Sequence, residues 1–130
     1  MSDNRDSLYS EDWFRIAHKD FSRVSTRLAE GDIEDAAFHL QQALEKGLKG
    51  FLLARGWQLK RIHNLQLLLD DAVSFDSHLE SFRSLCQRAN GYYLLERYPG
   101  LGGFPEVQEI QSILPEAETF LRILGLTFDE

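Results

Sequence analysis

Between Ala36 and Leu53 apolar residues fall at positions 37, 40, 44, 48 and 51, and positions 36, 43 and 52 widen the set. Steps of three and four place them all on one stripe of an α-helix. The positions between carry a polar row of Gln41, Gln42, Glu45, Lys46 and Lys49, in which Glu45 to Lys49 has the favourable order for an i, i+4 ion pair. Gly47 and Gly50 interrupt this helix at a cost of about 1 kcal/mol each relative to alanine. Two such residues point to a close approach of another backbone.

The same spacing recurs upstream. Trp13, Ile16, Ala17, Phe21, Val24 and Leu28 predict a first helix from about Glu11 to Glu30, with Ser10 as N-cap and Glu11 and Asp12 in the first turn. Gly31 can stop it in the left-handed conformation and Asp32 can cap the next helix, from Ile33 to about Ala54, which makes a tight antiparallel hairpin. After a connection over 57–61, His63 to Val73 reads as a short third helix. Ser77-His78-Leu79-Glu80 has the spacing of a capping box for a fourth, running to about Tyr98 on Leu79, Phe82, Leu85, Cys86, Ala89, Tyr93 and Leu94. Pro99 and Gly100 end it, and residues 99–105 form a glycine-rich loop. A last helix from Glu106 to Leu124 contains Pro115, which predicts a kink or a split. No alternating β pattern persists, so the expectation is an all-α, up-and-down bundle of four to five helices, with residues 1–9 as a flexible N-terminus before one domain over 10–130.

Length and composition agree with one globular core: 130 residues, 43% of them hydrophobic. No run approaches the ~20 apolar residues of a membrane span, and the first residues are polar, so a cytoplasmic protein without membrane contact is expected. A single cysteine, Cys86, leaves no partner for an internal disulfide, and its place on an apolar stripe reads as a buried small hydrophobe. The net charge of -7 argues against general nucleic-acid binding. From Lys46 to His63, however, there are five basic residues, Lys46, Lys49, Arg55, Lys60 and Arg61, and no acidic one. Two readings stay open there: a local anion-binding patch, or a solvated helix end followed by a basic loop.

Candidate chemistry is sparse. His18, His39, His63 and His78 occur singly, with no pair three or four apart and no thiol beside them, so neither a metal nor a cofactor is expected. The segment Pro-Gly-Leu-Gly-Gly-Phe-Pro precedes a helix without the Lys-Ser/Thr of a phosphate loop and reads as a connector.

The 36–53 pattern, followed in order by His63-Asn64-Leu65 and Arg97-Tyr98-Pro99, resembles the HEPN family over residues from about 10 to 125. These are small helical domains of prokaryotes, often encoded beside a minimal nucleotidyltransferase. The resemblance implies a homodimer joined partly through the second and fourth helices, with Phe38, Gln42, Gly47, Gly50 and Tyr92 at the interface. It also implies a nucleotidyltransferase-type partner, a nucleotide or RNA bound through Lys46, Lys49, Arg55, Lys60 and Arg61, and a structural role for His63. Active members are metal-independent ribonucleases with an Arg followed four to six residues later by a His. Here two residues separate Arg15 from His18, seven separate Arg55 from His63 and one separates Arg61 from His63, so none fits. The weak substitute, Arg88 with Tyr93 and Arg97, offers a phenol of pKa about 10, a poor base at neutral pH. The resulting expectation is a non-catalytic HEPN-type module. The alternatives are a toxin-like ribonuclease with an atypical site and a purely structural interaction domain.

Overall fold

The structure, a computed structural model, describes residues 7–93 and 105–128. Five α-helices follow in order among these residues: α1 (Ser10–Ala29), α2 (Ile33–Leu53), α3 (Leu65–Val73), α4 (Arg83–Asn90) and α5 (Val107–Leu124). A 3-10 turn, Ser77–Phe82, leads into α4. No strand occurs among the described residues, which gives the expected all-α bundle.

Local hydrogen bonding explains the helix starts and moves several of them. Tyr9, not Ser10, occupies the N-cap of α1, and no side chain bonds there. Ser7 fastens this end instead: its hydroxyl donates to Asp12 at 2.7 Å, and its carbonyl accepts the Trp13 indole N–H at 2.8 Å. The Ser7 hydroxyl, and after it the Arg15 guanidinium at 2.9 Å, keep the Asp12 carboxyl below its ordinary range. Gly31, at φ +80°, turns the chain, and the Asp32 carboxylate caps α2 by accepting from Asp35 N–H at 3.2 Å. α3 begins at Leu65 rather than His63, because the Asn64 side chain accepts from the N–H groups of Gln66 and Leu67.

The capping box at Ser77 does not form. Asp76 caps the segment one residue earlier by accepting from His78 N–H at 3.0 Å, while Glu80 pairs with Arg83 at 2.8 Å. The fourth helix is therefore divided into a 3-10 turn and α4, which stops at Asn90. Arg83 ties it to α3 through Asp70 at 2.7 Å and the Gln66 carbonyl at 3.1 Å. The continuation to Tyr98, the Arg97-Tyr98-Pro99 motif and most of the 99–105 loop lie outside the described residues. α5 runs from Val107 to Leu124 through Pro115 without a split, and the Pro115 carbonyl accepts the Thr119 hydroxyl at 3.0 Å.

α2 is the central element and touches α1, α3, α4 and α5. Leu40, Leu44, Leu48, Phe51 and Leu52 pack with Leu68, Leu69, Leu85, Phe120 and Leu121 in one core. Its two glycines are explained by this crowding. A Cβ at Gly50 would sit 2.7 Å from the Phe14 ring, and one at Gly47 would sit 2.7 Å from the Leu121 side chain. The close neighbours are side chains of the same chain, not the second backbone that the sequence suggested. Cys86 is fully buried among them, and that burial pushes its thiol up to about 12. Among the described residues no helix is long and apolar enough to cross a membrane.

Two outcomes follow from this packing. Gly50→Ala should lower stability by about 1–2 kcal/mol in urea unfolding, because overpacking against an aromatic ring outweighs the gain in helix propensity. Gly47→Ala should cost less, since the tip of Leu121 can rotate away, and Gly91→Ala, with open space around it, should be neutral or slightly stabilising. Cys86 should resist alkylation at pH 8 in the native protein and react fully once urea unfolds it, because the thiolate is the reactive form.

Candidate anion-binding site

The polar row of α2 does not face solvent. Gln41, Glu45, Lys46 and Lys49 are all buried, covered by Trp13 and Asp20 of α1 on one side and by His63 in the connection to α3 on the other. Buried charges are tolerated only when paired and hydrogen-bonded. Here they are. Lys49 donates to Glu45 Oε2 at 3.0 Å, with side-chain exposures of 4% and 2%, and the His63 Nδ1 lies 3.1 Å from the same oxygen. Gln41 donates to Glu45 Oε1 at 3.1 Å and to the His63 carbonyl at 3.2 Å, and Gln42 donates to Gln41 Oε1. Lys46 completes the chain by donating to Gln42 Oε1 at 2.9 Å and pairing with Asp20 at 3.5 Å. No buried side-chain nitrogen or oxygen among the described residues lacks a partner.

A second knot continues the seam. His39 lies between two carboxylates, its Nδ1 2.9 Å from Asp20 and its Nε2 3.4 Å from Asp35. Arg27 then donates to Asp35 at 2.7 Å and to Glu30 at 2.9 Å. His39 is thus half-buried and paired with a carboxylate at both ring nitrogens.

A cavity of about 180 Å³ opens on this row, lined by Trp13, Gln42, Glu45, Lys46, Lys49, Arg61 and His63. Its wall carries three cations and one carboxylate, with Lys49 paired to Glu45 and Lys46 to Asp20 behind it. Lys49 also lies over the Trp13 ring, 5.3 Å from its centre, so the indole face supports the ammonium from below. At the rim the His63 ring stacks on Tyr93 with centres 5.2 Å apart and planes within 10°, and Phe38 lies 6.4 Å beyond. The arrangement can bind a small anion through ammonium and guanidinium donors.

Of the five basic residues singled out in the sequence, the fold gathers Lys46, Lys49 and Arg61. Arg55 instead lies over Phe51, 3.6 Å from the ring centre, and donates to the Phe51 carbonyl. Lys60 pairs with Asp71 at 3.4 Å, beside the Trp57 indole that donates to the same carboxylate. The expected interface residues divide as well. Phe38 and Gln42 are half-buried, whereas Gly47, Gly50 and Tyr92 are covered by their own chain. Tyr92 donates to Glu109 of α5, and burial, then that carboxylate, push its phenol well above the ordinary range. Arg88 is exposed at the end of α4, and Arg97 lies outside the described residues. Among the described residues no group of His, Cys, Asp and Glu is arranged to bind a metal.

Sequence reasoning missed Trp13, Asp20 and Glu45 as parts of one site. Asp20 carried a signal: 13, 17, 20 and 24 are the buried positions of α1, and a carboxylate on that stripe requires a buried partner. Removal of one member should expose this dependence. Lys49→Met leaves Glu45 buried beside His63 and Gln41 alone, and should cost about 3 kcal/mol or more in urea unfolding at pH 7. Glu45→Gln combined with Lys49→Met should recover most of that loss, because no uncompensated charge remains.

The HEPN domain profile matches residues 10–126. A crystal structure of TT1696 from Thermus thermophilus has a similar fold, with a TM-score of 0.76 and 28% identity over 88% of this chain and 94% of that one. No curated protein matches the chain. With the family's profile covering nearly all of an all-α bundle, this chain belongs to the HEPN family.

Proposed function

We propose that the protein is a non-catalytic HEPN-type module that binds a phosphate-bearing ligand, a nucleotide or RNA, in the cavity of Lys46, Lys49 and Arg61. It works as a homodimer alongside a nucleotidyltransferase-type partner. The observation that carries the ligand reading is the pairing of two buried lysines with Arg61 and His63 around one polar cavity in a chain of net charge -7. Cations concentrated in a partly enclosed site attract an anion more strongly than the same residues spread over a surface. The acidic remainder repels extended polyanions, which favours a ligand held at one point.

Family membership supports the dimer and the partner. Since Gly47, Gly50 and Tyr92 are covered by their own chain, the contact falls to Phe38, Gln42 and the exposed ends of the helices around them.

One observation favours a second reading, the toxin-like ribonuclease. The His ring that the spacing of Arg88 and Tyr93 lacks is present through space, as His63 stacked on Tyr93. Incubation of pure protein with RNA beside Arg88→Ala separates the readings: the module reading expects no cleavage by either.

Size exclusion with light scattering should give twice the chain mass of 15.0 kDa; a monomer at micromolar concentration removes the dimer. In calorimetric titration with mixed nucleotides at low salt, Arg61→Ala should weaken binding about tenfold, about 1.4 kcal/mol. Arg61 is exposed, so its unfolding free energy should stay within about 0.5 kcal/mol of the parent. Undiminished binding by Arg61→Ala would remove the cavity as the site.

A further inference from the structure

We infer that a groove between α1 and the chain that follows α5 docks a short linear segment of a partner protein, one that carries a large apolar side chain next to acidic residues. The groove shares no lining residue with the α2 cavity, and the inference is independent of the anion-site reading.

Its floor is set by how the chain leaves α5. Gly125, at φ +136°, turns the backbone onto α1. Leu126 is then buried, and the Phe128 ring stacks on His18 at 5.1 Å, meets Phe21 edge-on at 5.5 Å and has the Arg122 guanidinium 4.9 Å from its centre. This strap is thus pinned on both sides of Thr127. The Phe14 ring lies against Gly50 and Gly125, where added Cβ atoms would sit 2.7 and 2.8 Å from it. A ring held between two glycines stays where it is, so the groove has an apolar floor in place.

Shape favours a linear occupant. Phe14, Arg15, His18 and Lys19 form one wall and Leu126 and Thr127 the other, around about 440 Å³. Positions 11, 14, 15, 18 and 19 follow steps of three and four along a single face of α1. Glu11 and Lys19 mark the two ends, about 12 Å apart at about 1.5 Å per helical residue. About four residues of extended peptide, at about 3.3 Å each, cover that length.

The strap also offers main chain. Thr127 is exposed, and its N–H and carbonyl make no hydrogen bond among the described residues. One N–H and one carbonyl on the same residue are the pair that an added peptide backbone exchanges with an edge. Main-chain bonding of this kind selects a peptide over a compact small molecule.

Charge gives the occupant its sign and its direction. Arg15 donates to Asp12 at 2.9 Å, which offsets its charge, and the His18 ring is stacked on Phe128. Lys19 is exposed and has no ion pair among the described residues, so it is the cation open to a partner. Glu11 stands at the opposite end. An acidic group therefore seats beside Lys19, the apolar side chain rests on Phe14 and Leu126, and the residue toward Glu11 is neutral or basic. Complementarity of this kind sets specificity more than raw affinity.

Fluorescein-labelled peptides with blocked ends are titrated with the full chain at low salt and read by anisotropy. Gly-Leu-Phe-Glu-Glu should bind about tenfold tighter than Gly-Leu-Phe-Lys-Lys and than Gly-Gly-Gly-Glu-Glu. Lys19→Glu should reverse the preference, so that the lysine peptide binds tighter than the glutamate peptide, which a merely structural role of Lys19 would not do. Thr127→Pro removes the free N–H and should weaken the glutamate peptide about tenfold while urea unfolding stays as in the parent. Failure of the glutamate peptide to saturate by about 1 mM, or equal binding of all three peptides, overturns the inference. Unchanged preference in Lys19→Glu does the same. Self-association of the protein alone that Lys19→Glu abolishes gives the groove to a second copy and overturns the partner reading. Phosphate or nucleotide binding in the α2 cavity is untouched by any of these results, so the two readings fail separately. The peptide comparison on the unaltered protein stands even where a variant folds poorly.

Discussion

Glu45 is a carboxylate near the middle of the most buried helix of the protein, and its compensation is the constraint on which the rest depends. Moving such a charge out of water costs several kcal/mol. Lys49, His63 and Gln41 offset that cost together, and each comes with a structural consequence. Lys49 draws Trp13 of α1 beneath it, His63 brings the connection before α3 across the row, and Gln41 fixes the backbone of that connection through the His63 carbonyl. The same logic operates along the α1–α2 contact, where Asp20 meets both Lys46 and His39 and Asp35 meets Arg27. Apolar packing supplies the driving force for burying α2, while this polar seam selects one register of α1 against it, since a slip of one turn would strand charges without partners.

That seam also explains how an acidic chain comes to have a cationic cavity. Lysines held by buried carboxylates cannot follow solvent, so their ammonium groups stay in place. Preorganisation and stability thus rest on the same residues, and a site of this kind cannot be altered freely without cost to the fold. Arg61 is the exception, exposed at the mouth. Arg55 and Lys60, drawn to Phe51 and Asp71, lie just past the C-terminal end of α2 and in the connection to α3, where they serve local packing.

Much of the architecture is legible in the periodicity. α1, α2 and α5 appear within a few residues of their expected bounds because long amphipathic stripes are robust to local detail. The starts are less legible. Ser10, His63 and Ser77 each stand within two residues of a better or different cap, since the choice among neighbouring polar side chains depends on backbone angles that no pattern records. Crowding at Gly47 and Gly50 is legible too, but it comes from Leu121 and Phe14 of the same chain, and sequence cannot say who approaches a glycine.

By itself, then, the sequence determined the helical class, the hairpin of the first two helices, the buried cysteine, the absence of the Arg-to-His spacing and the family. These depend on short-range order along the chain. Only the tertiary structure decided that the polar row of α2 is buried, that three of five basic residues share a cavity, and that His63 meets Glu45 and Tyr93. Those facts depend on residues far apart in the chain, and the pairing of a buried charge is settled by what packs against it, not by its neighbours in sequence.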